Sequence, residues 1–326
     1  GSEMCIRDRF GAKTPDENCA DLRTNGWELY LGWNDSFALM GKRFNYTVSA
    51  TLGDNKTVFT KFNNPEKNLS NHYEGKVLGE IWGYRVDGLF ASDEEAAEYT
   101  SKINQDAVNE RILTDKVDPY YRAGDLKFRD LDGDNVISKG DDTAYDAGDR
   151  EIIGNETPRY MYSFRLGADW NGFDLGIFFQ GVGKRDWYPN YLSTGFWGPY
   201  SRAFTSFIPE NFMDQCWSEE NRDGYFPRFR GYQTFAGSQL GVNNDRYLQD
   251  ASYIRLKNLT VGYTLPVLKK VFTKLRVYFT GENLWYWSPM LKHTKYIDPE
   301  AAGGNGNTGM AYNYSRNFSV GVDITF

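Results

Sequence analysis

The end of the chain alternates between apolar and polar side chains. Within Arg316 to Phe326, every second residue from Phe318 onward is apolar, and those between are Ser, Gly, Asp or Thr. A two-residue period gives a β-strand one apolar and one polar face. About ten such residues are what a tilted strand needs to cross a bilayer, and a terminal aromatic residue suits the membrane interface. The segment therefore predicts one strand of a transmembrane barrel wall.

The same alternation recurs upstream, which predicts about eight antiparallel strands. They lie near residues 24–34, 43–53, 77–90, 158–170, 173–183, 252–264, 274–287 and 315–326. The dipeptide Asn171-Gly172 separates two of them and is typical of a tight hairpin. The apolar parity changes between Leu256 and Leu259, which predicts a β-bulge near Lys257 and Asn258. The predicted fold class is all-β.

The connections between these strands are unequal in length. Three are long, at residues 90–157, 184–250 and 288–315, whereas Asn171-Gly172 and the stretch Leu265 to Thr273 are compact. Short turns on one side and long loops on the other are typical of outer-membrane barrels, and loops this long are uncommon in soluble domains. In the first long loop, Ser92 and Glu95 form a capping-box pattern that predicts a helix.

Composition excludes several other classes. A net charge of -7 and a pI near 5.1 argue against a nucleic-acid partner, and no apolar run is long enough for a membrane helix. The three cysteines, Cys5, Cys19 and Cys216, form no CxxC, so no zinc site or disulfide framework is indicated. The two histidines, His72 and His293, are interpreted as loop residues. Residues 1–9 show neither period and are treated as an unassignable leader, so residues 10–326 form one all-β segment.

Four long motifs carry a family resemblance in sequence order. They are GDLKFRDLDGD at residues 124–134, IGNETPRY at 153–160, GVNNDRYLQDASYIRLKN at 241–258 and YIDPEAAGGN at 296–305. With them, the chain resembles the C-terminal part of SusC/RagA-type TonB-dependent transporters of Bacteroidetes, over nearly everything after Phe10. The resemblance implies a 22-stranded barrel in the outer membrane, with a plug and a TonB box in a preceding part of the protein.

The resemblance also implies a function and partners. The family imports oligosaccharides or peptides with energy delivered through the TonB complex, and a SusD-like surface lipoprotein caps the barrel. The expected role of this chain is to supply wall strands that contact outer-membrane lipid and external loops that enclose cargo. No catalytic residues are predicted, because the loops contain many acidic residues and nothing selects a pair, so the chain is not expected to be an enzyme.

The sequence from Asp130 to Asp141 follows the logic of a calcium-binding loop. Carboxylates of Asp130, Asp132 and Asp134, the backbone carbonyl of Val136 and the carboxylate of Asp141 stand at loop positions one, three, five, seven and twelve. Asn135 replaces the usual glycine at position six, and asparagine accepts a left-handed backbone. The alternative is a turn held by side-chain to backbone hydrogen bonds. Bound calcium is expected to make the loop rigid.

The second long loop is rich in aromatic residues beside charged ones. The candidate cargo contacts are Trp187, Tyr188, Tyr191, Trp197 and Tyr200. Flat rings beside hydrogen-bonding groups suit sugar faces or peptide side chains. The alternative is that these rings pack the loop on itself, since a loop of this length needs its own core.

A different class of protein also fits part of the pattern. A secreted calcium-dependent carbohydrate-binding β-sandwich shows alternating strands, a calcium loop and exposed aromatic residues. Strand length separates the two hypotheses, because sandwich strands are typically about five or six residues long. Several segments here alternate for longer than that, which favours the barrel.

Overall fold

The computed structural model describes residues 19–202, 204, 206, 208–235, 237–266, 273–303, 308, 309 and 311–326. The predicted leader 1–9 and Cys5 lie outside these residues, as does most of the connection between Leu265 and Thr273.

The described residues form fifteen strands and three short α-helices. The strands are β1 (Ala20–Leu39), β2 (Lys42–Phe62), β3 (Glu80–Tyr84), β4 (Val86–Leu89), β5 (Leu126–Phe128), β6 (Arg150–Asn155), β7 (Arg159–Trp170), β8 (Phe173–Lys184), β9 (Asp186–Trp187), β10 (Cys216–Trp217), β11 (Phe226–Arg228), β12 (Gln249–Asp250), β13 (Tyr253–Leu265), β14 (Lys274–Trp287) and β15 (Asn317–Thr325). The helices are α1 (Asp93–Thr100), α2 (Glu110–Leu113) and α3 (Thr194–Trp197). Single 3-10 turns occur at Asp106–Val108, Gly198–Tyr200, Met213–Gln215 and Pro289–Lys292. Within the described ranges, no helix combines the length and apolar character needed to span a membrane.

Seven long strands form one antiparallel sheet, which we call the wall. The strands are hydrogen-bonded in the order β1-β2-β7-β8-β13-β14-β15, so each wall strand pairs with the next wall strand along the chain. Tight turns join β1 to β2 and β7 to β8. In the second turn, Asn171 and Gly172 have φ of 51° and 91°, as the hairpin prediction requires. The wall is therefore an up-and-down sheet with short connections at one end.

Register aligns the apolar side chains of successive wall strands on one face. Trp33 pairs with Val48, Val48 with Leu166, and Leu166 with Ile177. The predicted bulge is confirmed, because the register of β13 shifts between Leu256 and Asn258 against both of its neighbours. A one-residue shift would otherwise exchange the two faces. The bulge therefore keeps the apolar residues of β13 on either side of it on the same face of the wall.

The apolar face of the wall is exposed in this chain. Trp33 is 61% exposed on β1, and Val320 and Val322 on β15 are 76% and 55% exposed. The opposite face carries polar residues that bond across strands, such as Asn45 Nδ2 to Asp169 Oδ2 at 2.6 Å. An exposed apolar face opposite a polar face is the arrangement of a barrel wall with lipid outside and a polar lumen inside.

The predicted strand at residues 77–90 is wrong as a wall strand. This segment forms β3 and β4, which pair with β6 and β5 in separate two-stranded sheets. Glycines interrupt its alternation, and Gly79 and Gly88 have φ of 83° and 127°. Ile81 and Tyr84 are buried, so the segment packs among the loops instead of extending the wall.

The hydrophobic core of the chain lies in its long loops. The residues of this core come from the connections β2–β7, β8–β13 and β14–β15, which fold together into a unit that we call the loop cluster. Its members are Tyr84, Val108, Leu126, Phe128, Ile137, Trp187, Tyr188, Phe196, Trp197, Tyr200, Phe212, Cys216, Phe226, Leu240, Tyr247, Ala251, Met290, Ile297 and Ala302. The wall thus carries a folded, apolar-cored assembly at the end opposite its tight turns.

The predicted helix in the first loop is confirmed as α1. Ser92 is its N-cap, and its hydroxyl accepts a hydrogen bond from the backbone N–H of Glu95 at 3.1 Å. The Glu95 carboxylate reaches back to the backbone N–H of Ala91 at 2.6 Å. These two bonds satisfy donors that a helix start leaves free.

Candidate functional site

Four of the five predicted cargo contacts lie inside the loop cluster. Trp187, Trp197 and Tyr200 are fully buried and Tyr188 is 6% exposed, whereas Tyr191 is 45% exposed. A loop this long must bury apolar surface to hold a shape, and these rings supply that surface. In this structure four of the rings are therefore packing residues, and Tyr191 is the one with substantial ring surface available to a ligand.

The buried rings also satisfy their polar atoms within the cluster. Trp197 Nε1 donates to the carbonyl of Pro189 at 3.0 Å, and the Tyr200 hydroxyl donates to the carbonyl of Pro227 at 2.7 Å. Burial raises the pKa of Tyr200 well above its usual range. The Tyr200 bond joins residues 27 apart in the sequence and the Trp197 bond joins residues 8 apart, so these side chains fix the conformation of the loop.

Two carboxylates of the calcium-like sequence lie together with a third from beyond it. One oxygen from each of Asp130, Asp132 and Asp149 lies within 4.8 Å of the other two. Ligands on opposite sides of a calcium ion stand about 5 Å apart, because each Ca–O distance is about 2.4 Å. The turn also forms as predicted, since Asn135 adopts a left-handed φ of 65°. At this spacing, the three carboxylates could together supply part of the coordination shell of one cation.

Asp149 was not among the predicted ligands. It is fully buried, and its two oxygens accept hydrogen bonds from the backbone N–H groups of Leu131 and Ser138, each at 2.7 Å. Burial raises the pKa of Asp149, and the negative charges of Asp132 and Asp130 raise it further. A search by motif spacing ends at the twelfth position and misses a carboxylate that the fold supplies from beyond it.

The other predicted ligands have separate partners. Asp134 Oδ1 accepts from the backbone N–H of Val136 at 2.6 Å. Asp130 Oδ1 and Asp132 Oδ1 likewise accept from the backbone N–H groups of Gly133 and Asp134 at 2.7 and 3.1 Å, so the turn-stabilising alternative applies to all three of these carboxylates.

Asp141, at position twelve of the motif, is not part of the three-carboxylate group, and Asp149 is. Asp142 forms an ion pair with Arg150 at 2.7 Å. The Val136 carbonyl stays a predicted ligand.

A cleft of about 570 Å³ opens among the loops beside this site. Its lining comes from the segment after β2, from Asp142 and Arg150 beyond the calcium-like sequence, and from the aromatic loop, including Tyr191. A second cavity of about 390 Å³ shares Trp82, Arg150, Gly241 and Asn243 with it. Because both cavities share these four residues, we treat them as one cleft and call it the loop cleft.

A buried ion-pair group fastens the last long loop to the wall. Arg255 on β13 pairs with Asp298, and each is 1% exposed. Glu300 bonds Lys257 Nζ at 2.8 Å and lies 3.0 Å from Arg255 Nε. The guanidinium of Arg255 also lies over the rings of Tyr286 and Tyr314 at centroid distances of 4.7 and 5.2 Å. Two of the resemblance motifs thus meet, one on the wall and one in the loop.

Comparison with known proteins agrees with this architecture, although no protein family model matches the chain. The chain is 27% identical to TonB-dependent receptor P3 of Formosa agariphila and 25% identical to TonB-dependent receptor P26 of the same organism, over 97% and 99% of its length. It spans about 30% of the length of these curated relatives. Among solved structures, one chain of the RagAB peptide transporter is similar to this protein, with 21% identity and a TM-score of 0.60. The match covers 97% of this protein and 31% of the transporter chain.

The wall and the loop cluster define a class of protein, the large outer-membrane β-barrels. A continuous wall with one exposed apolar face contradicts the β-sandwich alternative, because a sandwich buries its apolar faces between two sheets. Over nearly its whole length the chain is similar to TonB-dependent receptors of Formosa agariphila, and its fold is that of the corresponding part of the RagAB peptide transporter.

Proposed function

We propose that this chain forms wall strands and external loops of a TonB-energised importer of oligosaccharides or peptides. The observation that carries the proposal is the seven-stranded wall with a loop cluster at one end, in a chain similar to TonB-dependent receptors. The exposed apolar face contacts outer-membrane lipid, and the polar face lines the lumen. The loop cluster, which lies at the end opposite the tight turns, encloses cargo at the external mouth.

The proposal assigns partners to the longer receptor. Energy reaches the transporter through the TonB complex, by way of parts of the receptor outside the described residues. A SusD-like surface lipoprotein delivers cargo to the loop cluster. The named relatives support this arrangement, because they are TonB-dependent receptors and the similar solved structure is that of a peptide transporter. The chain itself carries out no chemical step in this proposal.

Uptake by whole cells tests the proposal. Cells carrying the full-length receptor are compared with a deletion strain and with a strain lacking TonB, using labelled peptide and oligosaccharide mixtures. We expect accumulation of one class to be lost in both mutant strains and restored by the receptor gene. Unchanged accumulation of both classes in the deletion strain would contradict an import function.

We also propose that Asp130, Asp132 and Asp149 hold a calcium ion that keeps the loop rigid. The convergence of their oxygens and the burial of Asp149 support this role, since a buried carboxylate is costly without a compensating positive charge. The proposed ligand Asp149 directly precedes Arg150, and Arg150 lines the loop cleft. Calcium would thus fix one side of the cleft.

Titration of the chelator-treated full-length receptor with calcium chloride tests the site. Asp149→Asn is expected to abolish binding, whereas Asp141→Asn, the matched control from the sequence motif, is expected to retain it. Binding should weaken as the pH falls, because the raised pKa of Asp149 lets protons compete with the ion. Loss of binding in both variants alike, or no binding in the unmodified protein, would refute this ligand set.

A further inference from the structure

The loop cleft is lined by charged side chains of both signs. Lys76, Lys139 and Arg150 supply positive charges, and Glu80, Asp142 and Glu156 supply negative ones. Lys139 is engaged within the protein, because its Nζ forms an ion pair with Asp142 at 3.7 Å. The charged residues come from distant parts of the chain, which the fold brings to one cavity. A cleft of several hundred Å³ with convergent polar groups has the size of a small-ligand site.

Most of these charges are already engaged within the protein. Arg150 pairs with Asp142 at 2.7 Å, and the carboxylate of Glu80 accepts from the backbone N–H of Val77 at 2.8 Å and from the Tyr73 hydroxyl at 3.1 Å. These groups therefore shape the cleft, and they leave little capacity for a ligand's charge.

Lys76 and Glu156, which carry opposite charges, can still bind a charged group of a ligand. Lys76 Nζ donates to one backbone carbonyl, that of Asn71 at 3.0 Å, and it forms no ion pair with any described residue. Glu156 is exposed, and its carboxylate makes neither a hydrogen bond nor an ion pair within the described part of the chain. An ammonium carries two further donors here, and a free carboxylate can accept several.

Most of the aromatic surface that would suit sugars is buried. Recognition of sugar faces relies on exposed flat rings, but Trp187, Trp197 and Tyr200 are fully buried in the loop cluster. In the cleft, Tyr191 remains as an exposed ring, and Asn243 lines the same cleft with its Nδ2 donating to the Trp82 carbonyl at 3.1 Å. The accessible chemistry is thus one ammonium, one carboxylate, an amide and an aromatic ring.

We infer that the loop cleft binds peptides, with Glu156 receiving an ammonium group of the ligand and Lys76 receiving a carboxylate. This inference rests on the proposed import function and chooses between its two cargo classes. A peptide carries both charges at its ends or in its side chains, whereas a neutral oligosaccharide leaves both protein charges unpaired. Tyr191 and Asn243 then contact an apolar side chain and the peptide backbone, respectively.

Retention of ligands by the purified full-length receptor tests the inference. The probes are a tryptic digest of casein, the same digest with acetylated amines and esterified carboxyls, and maltohexaose. We expect the unmodified digest to bind and both other probes to bind at least about tenfold more weakly, because a charge-assisted hydrogen bond contributes roughly 1.5–3 kcal/mol. Lys76→Gln and Glu156→Gln should each weaken peptide binding by a similar factor.

Matched controls remove charges elsewhere on the loops. Lys102 and Glu98 form an ion pair with side chains 66% and 72% exposed, and neither lines the loop cleft. Lys102→Gln and Glu98→Gln are expected to leave peptide retention unchanged, because exposed pairs contribute little. A heat-modifiable band for every variant shows that each one is folded.

Each result bears on either the cleft or the import function. Peptide retention that both cleft variants weaken and both control variants leave unchanged supports the inference. Retention of maltohexaose in preference to peptide overturns it, as does peptide retention that neither cleft variant affects; in both cases uptake by whole cells still supports import. Uptake that is unchanged in the deletion strain instead refutes the import function on which the inference rests.

Discussion

Gly262 allows two side chains to meet across a strand. Arg276 on β14 and Asp174 on β8 lie on either side of β13, and their side chains form two hydrogen bonds of 2.8 and 2.6 Å. A Cβ atom at Gly262 would lie 2.6 Å from Arg276 Nε and 2.6 Å from Asp174 Oδ2. The absence of a side chain on β13 therefore permits a charge pair that joins three wall strands.

Substituting this glycine should destabilise the wall. We expect Gly262→Ala to lower the free energy of unfolding of the full-length receptor by about 1–3 kcal/mol, the usual cost of overpacking. Gly167→Ala is the control, because a Cβ there would meet only Thr47 Cβ at 3.8 Å. Urea titration monitored by the heat-modifiable band measures both variants. Equal midpoints for the two would show that the charge pair does not depend on Gly262.

His293 makes the loop cluster sensitive to acid. Its ring stacks on Tyr225 with centroids 3.5 Å apart, and burial, with Lys292 and Arg246 nearby, lowers the pKa of His293 to about 4. The unfolded state, with a pKa near 6.5, binds the proton first as the pH falls. Stability contributed by the neutral ring is thus complete above about pH 6.5 and is lost towards pH 4.

The acid sensitivity can be assigned with one variant. Between pH 7 and pH 5, the full-length receptor should lose more stability than its His293→Phe variant, measured by tryptophan fluorescence during urea unfolding. Phenylalanine keeps an aromatic ring against Tyr225 but cannot bind a proton. The same pH dependence in both proteins would contradict the role of His293.

The loop after β14 depends on its attachment to β13. Asp298 and Arg255 form a buried ion pair, and Glu300 is a second carboxylate beside Arg255. Loss of Asp298 leaves Arg255 with Glu300 alone, so the cost is smaller than the roughly 3–5 kcal/mol of a buried charge left without any partner. We still expect Asp298→Asn to loosen residues 288–303 and to expose them to protease on intact cells. Glu219→Gln is the control, because its pair with Arg222 is more than half exposed and should leave cleavage unchanged. Unaltered protection of residues 288–303 in Asp298→Asn would contradict the attachment.

Sequence periodicity predicts the wall well because each wall strand has the same two environments along its length. Apolar and polar faces repeat every second residue, so the positions of all seven wall strands and the bulge after Leu256 follow from the sequence. The loops follow no such rule, since their core joins residues from three distant connections. Ile81 and Tyr84 lie in a segment predicted as a wall strand but are buried among loops, and Asp149 joins the carboxylates from outside the motif.

At the scale of the whole molecule, the outward face of the wall decides whether the receptor enters the membrane. Val322 is 55% exposed on the apolar face of β15, whereas Ser319 lies on the polar face, where it pairs with Thr280. We expect Val322→Arg to block stable assembly of the full-length receptor, because a cation on the lipid face costs about 2–4 kcal/mol near the membrane centre. Ser319→Asn should assemble normally. Equal membrane insertion of the two variants would contradict this orientation of the wall.

Cell fractionation of the full-length receptor tests most directly that the wall is part of a closed membrane barrel. The outer-membrane fraction is run on a gel with and without heating, because a closed barrel resists the detergent until it is heated. We predict a band in the outer-membrane fraction that changes mobility on heating. A soluble or secreted receptor, or one whose mobility is the same with and without heating, would contradict a barrel wall.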